Sequence, residues 1–209
     1  MQKNISEILE QAGVVPVLVI DNVEDALPLA EALVEGGLNV LEITLRTEAA
    51  LPAVERIAKH LPDAHVGTGT VLSGDDLQRS VDAGASFLVS PGATEKLLDA
   101  AEGSTVPLLP GAANPSEVMR LLERGYRYQK FFPAQAAGGV PMLKSIAGPL
   151  AQVQFCPTGG IGPGNAAEYL ALPNVMCVGG SWMAASSLVV EKNWGEITRL
   201  AKEAAALKG

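Results

Sequence analysis

Apolar residues along this chain follow two alternating rhythms. Short runs rich in Val, Ile, Leu and Phe have the length and period of strands; longer stretches place apolar residues every three or four positions, as an amphipathic helix does. The runs predicted as strands are VVPVLVI (Val14–Ile20), VLEITL (Val40–Leu45), HVGTGTV (His65–Val71), FLVSPG (Phe87–Gly92), VPLLPGA (Val106–Ala112), YQKFFPA (Tyr128–Ala134), VQFCPTGG (Val153–Gly160) and VMCVGG (Val175–Gly180). Between the first two, Asn22 is placed to cap a helix carrying Leu27, Ala30, Leu33 and Val34 and ending at Gly36-Gly37. Similar signals predict helices over Glu48–His60, Gly74–Ala83, Thr94–Ala101, Pro115–Arg124, Met142–Ile146, Asn165–Leu170 and Trp194–Leu207. The opening MQKNISEILEQAG sets Ile5, Ile8 and Leu9 at helical spacing and reads as a short amphipathic helix.

The strand–helix unit recurs about every two dozen residues, without a linker or low-complexity break. Eight βα units in 209 residues predict an α/β fold, a single-domain (β/α)8 TIM barrel over residues 1–209 with a short N-terminal helix. An open doubly wound sheet is the alternative.

Composition narrows the functional classes. A net charge of −8 argues against a general nucleic-acid binder, and no stretch reaches the roughly 20 apolar residues of a membrane span. The N-terminus lacks the apolar core of a signal peptide. Cys156 and Cys177 both sit in apolar runs without metal-ligand spacing, the pattern of reduced core thiols, so a cytoplasmic location is expected. Neither His60 nor His65 belongs to a ligand-spaced cluster, and no metal or cofactor is expected.

A barrel carries its chemistry at the C-terminal ends of its strands. In VLEITLR, alternation places Leu41, Ile43 and Leu45 on one face and Glu42, Thr44 and Arg46 on the other. The same alternation groups Tyr128, Lys130 and Phe132, and it groups Thr68 with Thr70. Lys130 is therefore expected to share the interior with Glu42, Arg46 and Thr70. Desolvation disfavours the charged form of an inward lysine among aromatics, and the free amine attacks carbonyls. Glu42 beside it can move protons between imine states, while Arg46 matches a carboxylate and Thr70 adds a hydroxyl. The plainer alternatives are a structural Lys130–Glu42 or Glu42–Arg46 ion pair and an ordinary strand threonine.

Two glycine-rich strand ends, CPTGGIGPGN and VGGSW, bring Thr158, Gly159, Gly160, Gly179, Gly180 and Ser181 to the last two βα loops. Barrels commonly hold phosphate there through uncovered backbone N–H groups. Tight turns without a ligand are the alternative. A phosphosugar isomerase or epimerase, or a non-catalytic phosphometabolite binder, would use the same loops but has no need of an imine.

Taken in order, VLEITLRT, GTGTVL, SPG, KFFPA, FCPTGGI and VGGSW resemble the KDPG/KHG aldolase family, the 2-keto-3-deoxy-6-phosphogluconate aldolases of the Entner–Doudoroff pathway, from Val14 to Trp182. The resemblance implies a class I lyase that cleaves this phosphorylated sugar acid to pyruvate and D-glyceraldehyde 3-phosphate, with activity on 4-hydroxy-2-oxoglutarate or the galactonate-series substrate left open. It implies Lys130 as Schiff-base former, Glu42 as general acid/base, and Arg46 and Thr70 at the pyruvyl carboxylate, with Pro91 and Phe132 lining that site. It places Gly159, Gly160 and Ser181 at the phosphate and implies a homotrimer. Gln135 departs from the acidic residue expected there in many relatives.

Overall fold

The computed structural model describes residues 5–208; residues 1–4 of the expected N-terminal helix and residue 209 of the expected domain lie outside the described residues. Helix α1 (Ile5–Gln11) leads into β1 (Val14–Leu18), and strands then alternate with helices. The order is α2 (Val23–Glu35), β2 (Val40–Thr44), α3 (Ala50–His60), β3 (His65–Gly69), α4 (Gly74–Asp82), β4 (Leu88–Val89) and α5 (Glu95–Glu102). It continues with β5 (Leu108–Leu109), β6 (Gly111–Ala112), α6 (Pro115–Glu123), β7 (Tyr128–Phe131), α7 (Gly139–Ala147), β8 (Gln154–Pro157), α8 (Ala166–Leu170), β9 (Val178–Gly180), α9 (Ser186–Val190) and α10 (Trp194–Ala205). Each run predicted as a strand contains one, and β5 and β6 are a single predicted run divided at Pro110, which has no amide hydrogen to give a neighbour. The 3-10 turn Trp182–Ala184 and α9 lie outside the predicted elements; at three and five residues they are too short for a helical period to show.

Helix starts follow local chemistry. The side chains of Asn22, Ser73, Thr94 and Asn114 each accept a hydrogen bond from a first-turn backbone N–H, and Pro115 occupies a position where no helical N–H is required. The strands pair in parallel, six in the order β5-β4-β3-β2-β1-β9 and three in the order β6-β7-β8. Pro110 alone separates β5 from β6, and the bridges Phe155↔Val175 and Thr158↔Gly179 link β8 to the approach and body of β9. The result is an α/β fold on a curled parallel sheet.

Two apolar clusters occupy the two sides of the strands. The outer one packs Leu41, Ile43, Leu88 and Phe131 against helix residues such as Leu33, Ile57 and Leu97. The inner one joins Val15, Val40, Phe87, Val89, Leu109, Cys156 and Cys177 to Ile5, Ile8 and Leu9 of α1. Helix α1 is therefore a plug for the inner side. Both cysteines are free and buried; a hydrogen bond with Cys156, together with burial, pushes the Cys177 thiol well above its ordinary range.

Truncating the plug should be costly. Leu9 is 1% exposed, so Leu9→Ala should lower unfolding free energy by about 2–5 kcal/mol in urea denaturation. Val190→Ala, at a side chain 80% exposed, should stay within about 0.5 kcal/mol. Equal effects at the two positions would contradict the role given to α1.

Candidate active site

Strands β2 and β7 carry the candidate pair, Glu42 and Lys130. Glu42 and Lys130 are 3% and 5% exposed, and Lys130 Nζ donates to Glu42 Oε1 at 3.1 Å. The partners come from residues 88 positions apart, so the fold alone brings them together. Lys130 Nζ also stands 5.2 Å from the centroid of the Phe132 ring, within cation–π range. The alternation read from VLEITLR holds: Leu41 and Ile43 lie in the outer cluster, Leu45 packs against it, and Glu42 faces inward.

Glycines permit the close approaches around this pair. A Cβ on Gly69 would collide with Glu42 Oε1, and one on Gly111 would strike the Pro91 carbonyl. Gly111 is the register neighbour of Lys130, so Pro91 closes over the strand beside the lysine. These small inward residues were not singled out from sequence, although the two-residue spacing of the glycines in HVGTG carried the signal.

The structure corrects one grouping. Thr68 is in register with Ile43 and Leu88, both of the outer cluster, whereas Gly67 and Gly69 are in register with inward Glu42 and with Thr44. Thr68 therefore faces away from the site. Thr70 does not follow Thr68, because its φ of 62° takes it out of the strand and breaks the alternation. A β-branched residue in this left-handed region is unusual and costs about 1–3 kcal/mol unless its surroundings hold it. Here Gly69 O accepts from Leu45 N on one side and Val71 N donates to Val89 O on the other, so the neighbouring backbone fixes the turn. Thr70 Oγ1 then accepts from Arg46 Nε at 3.4 Å, at the exposed mouth of the site.

Beside the pair is a cavity of about 330 Å3 lined by Arg46, Phe132, Thr158, Gly159, Gly160, Gly179, Gly180 and Ser181, with Val17, Val19 and Ile161. All six residues from the two glycine-rich strand ends are brought together there. Gly159 and Gly160 have φ of 101° and 74°, conformations that glycine adopts freely. Gly179 leaves space for the Thr158 hydroxyl, and Gly180 for the Trp182 ring. Thr158 lines this cavity, and its Oγ1, packed against Gly179, is buried without a hydrogen-bond partner among the described residues.

His60 stands exposed at the end of α3, with Nδ1 2.8 Å from Arg56 O, and His65 opens β3; neither touches the pair. A larger groove of about 460 Å3 between α2 and α10 shares no residue with the site.

Similarity to known proteins spans nearly the whole chain. The model of the family described as KDPG and KHG aldolase matches residues 5–200. The 2-dehydro-3-deoxy-phosphogluconate aldolase of Pseudoalteromonas atlantica is 52% identical over 200 residues, covering 96% of this chain and 93% of its own. The KDPG aldolase of Legionella pneumophila, solved with pyruvate captured at low pH as a covalent carbinolamine intermediate, superposes with a TM-score of 0.93 at 50% identity, covering 95% of this chain and 96% of that one. The 2-keto-3-deoxy-6-phosphogluconate aldolase of Zymomonas mobilis ZM4, solved with 3-phosphoglycerate, gives a TM-score of 0.94 at 49% identity over 99% of this chain and 97% of that one. With sequence and fold agreeing over nearly the full length, the chain belongs to the KDPG and KHG aldolase family.

Proposed function

We propose that the protein is a class I aldolase, a lyase cleaving 2-keto-3-deoxy-6-phosphogluconate to pyruvate and D-glyceraldehyde 3-phosphate, with Lys130 as the imine-forming amine. The observation that carries this reading is the buried 3.1 Å contact between Lys130 and Glu42 beside a cavity of substrate size. Once desolvation is counted, a buried ion pair is a weak source of stability, so a chemical use accounts for it better than a structural one. The carbinolamine in the Legionella relative supports the same chemistry.

In this reading Glu42 takes a proton from the Lys130 ammonium, and the free amine attacks the C2 ketone. The carbinolamine loses its hydroxyl as water, with Glu42 returning the proton, and the iminium that remains draws electrons from C3–C4. Glu42, again a carboxylate, takes the C4 hydroxyl proton, which breaks that bond and releases the aldehyde. It returns the proton to C3 of the enamine, and water hydrolyses the resulting iminium to pyruvate, restoring the amine.

Arg46 and Thr70 are proposed to hold the pyruvyl carboxylate, with Pro91 and Phe132 lining it; a guanidinium fork suits two carboxylate oxygens. Thr158, Gly159, Gly160, Gly179, Gly180 and Ser181 are proposed to receive the distal phosphate. The bridges across β8 and β9 and the single-residue break at Pro110 support one closed (β/α)8 barrel. A homotrimer, as the resemblance implies, is proposed, with a cytoplasmic location in keeping with two free buried cysteines and some activity on 4-hydroxy-2-oxoglutarate in keeping with the family's description. No described helix is long and apolar enough to cross a membrane.

Two measurements test the assignment of roles. Glu42→Gln keeps the shape but removes the base, and kcat for cleavage should fall about 100- to 10,000-fold; near-normal turnover would move the proton transfers to another group. The unmodified protein should cleave unphosphorylated 2-keto-3-deoxygluconate far less efficiently than the phosphorylated substrate, and Gly160→Val should raise KM for the latter. Equal kcat/KM on the two substrates would remove the phosphate site.

A further inference from the structure

The loop after β8 is gripped by residues that no step of the proposed mechanism uses. Beyond the end of β7 the chain runs on along the same neighbour: Ala134 N donates to Thr158 O at 2.8 Å and Gln135 N to Gly159 O at 3.0 Å. The side chain of Gln135 then turns under the loop. A Cβ on Gly160 would lie 2.6 Å from Gln135 Cβ, so the glutamine stem supports Gly160 directly. Its amide oxygen accepts a 2.8 Å hydrogen bond from the hydroxyl of Tyr169, on α8 at the far end of the loop. Gly139, with φ of 57° at the start of α7, leaves room for both groups, since a Cβ there would stand 3.0 Å from the Tyr169 hydroxyl and 3.4 Å from Gln135 Oε1. Asn165 closes the loop on itself, donating to Gly160 O at 3.0 Å and accepting from Gly162 N at 2.9 Å.

We infer that Gln135 and Tyr169 form a clasp that positions the Gly159–Gly160 segment for the substrate phosphate, an inference that rests on the phosphate reading above. The Gln135–Tyr169 bond joins the segment after β7, which lies against the start of the loop, to the helix that follows the loop, across 34 residues of chain. Two consecutive glycines would otherwise sample many conformations, and the cost of ordering them would fall on substrate binding. With the clasp closed the segment is ordered before substrate arrives. Tyr169 is suited to this part: it is 1% exposed, and burial pushes its hydroxyl up from the ordinary range, which keeps it protonated as a donor. Gln135 supplies a neutral acceptor, and glutamate would supply an acceptor oxygen in the same place. This accounts for how a glutamine can stand where an acidic residue is expected without loss of the site. Gln135 and Tyr169 are positioning residues, since the substrate is proposed to meet the loop and not their side chains.

The test uses Tyr169→Phe, Gln135→Leu, their double variant and Gln135→Glu in the full chain, with KM and kcat for the phosphorylated and the unphosphorylated substrate. Tyr169→Phe and Gln135→Leu should each raise KM for the phosphorylated substrate about three- to tenfold, with kcat held within about twofold and the unphosphorylated substrate unaffected. The double variant should be no worse than either single one, because both remove the same bond. Gln135→Glu should keep KM within about twofold of the parent. Additive losses, no change in KM in Tyr169→Phe, or Gln135→Glu as impaired as Gln135→Leu would each overturn the clasp, provided the parent protein prefers the phosphorylated substrate. If the parent shows no such preference, the phosphate reading itself fails and the clasp falls with it.

Discussion

The arrangement depends on placing a lysine and a glutamate, both almost fully buried, within hydrogen-bonding distance inside a curled sheet. Two charges taken from water must find each other or the fold loses several kcal/mol. That constraint reaches well beyond the pair. It requires glycine at Gly69, where any Cβ would occupy the space of the Glu42 carboxylate. On the same inner side, the apolar plug of Ile5, Ile8 and Leu9 fills the inner cluster and keeps the sheet packed.

In the proposed function, reactivity and recognition are divided between neighbouring parts of one surface. The amine and carboxylate are sunk among strands, while Arg46 and Thr70 stand at the mouth, Thr70 held there by a strained backbone angle. Arg46 also lines the cavity formed by the glycine-rich strand ends. In the proposed function it lies between the pyruvyl end of the substrate and the phosphate end. The net charge of −8 does not oppose an anionic substrate, because backbone N–H groups exposed by glycine provide local positive potential whatever the overall balance.

Much of this was legible in the sequence because it is written in short-range periodicity. The alternation of VLEITLR separates Glu42 from Leu41 and Ile43 without reference to any other part of the chain, and the eight runs announce the parallel strands. What was hidden depends on contacts across the fold or on local departures from the period. Thr70 reaches the mouth through a left-handed turn, not by sharing a face with Thr68. Phe87–Gly92 shortens to Leu88–Val89 because pairing stops as the chain turns toward Pro91, and Val106–Ala112 divides at Pro110. The Gln135–Tyr169 bond joins segments whose pairing no local pattern announces. The buried Thr158 hydroxyl without a partner likewise becomes visible only when the walls of the cavity are in place.

The central claim is that Lys130 is the amine that bonds to the substrate carbonyl. Pyruvate and sodium borohydride should together produce a stable reduced adduct, and peptide mass spectrometry should place it on Lys130, with Lys130→Ala abolishing it and Lys144, an exposed lysine, remaining unmodified. An adduct on a different lysine, or none under conditions where the protein cleaves its substrate, would contradict the account.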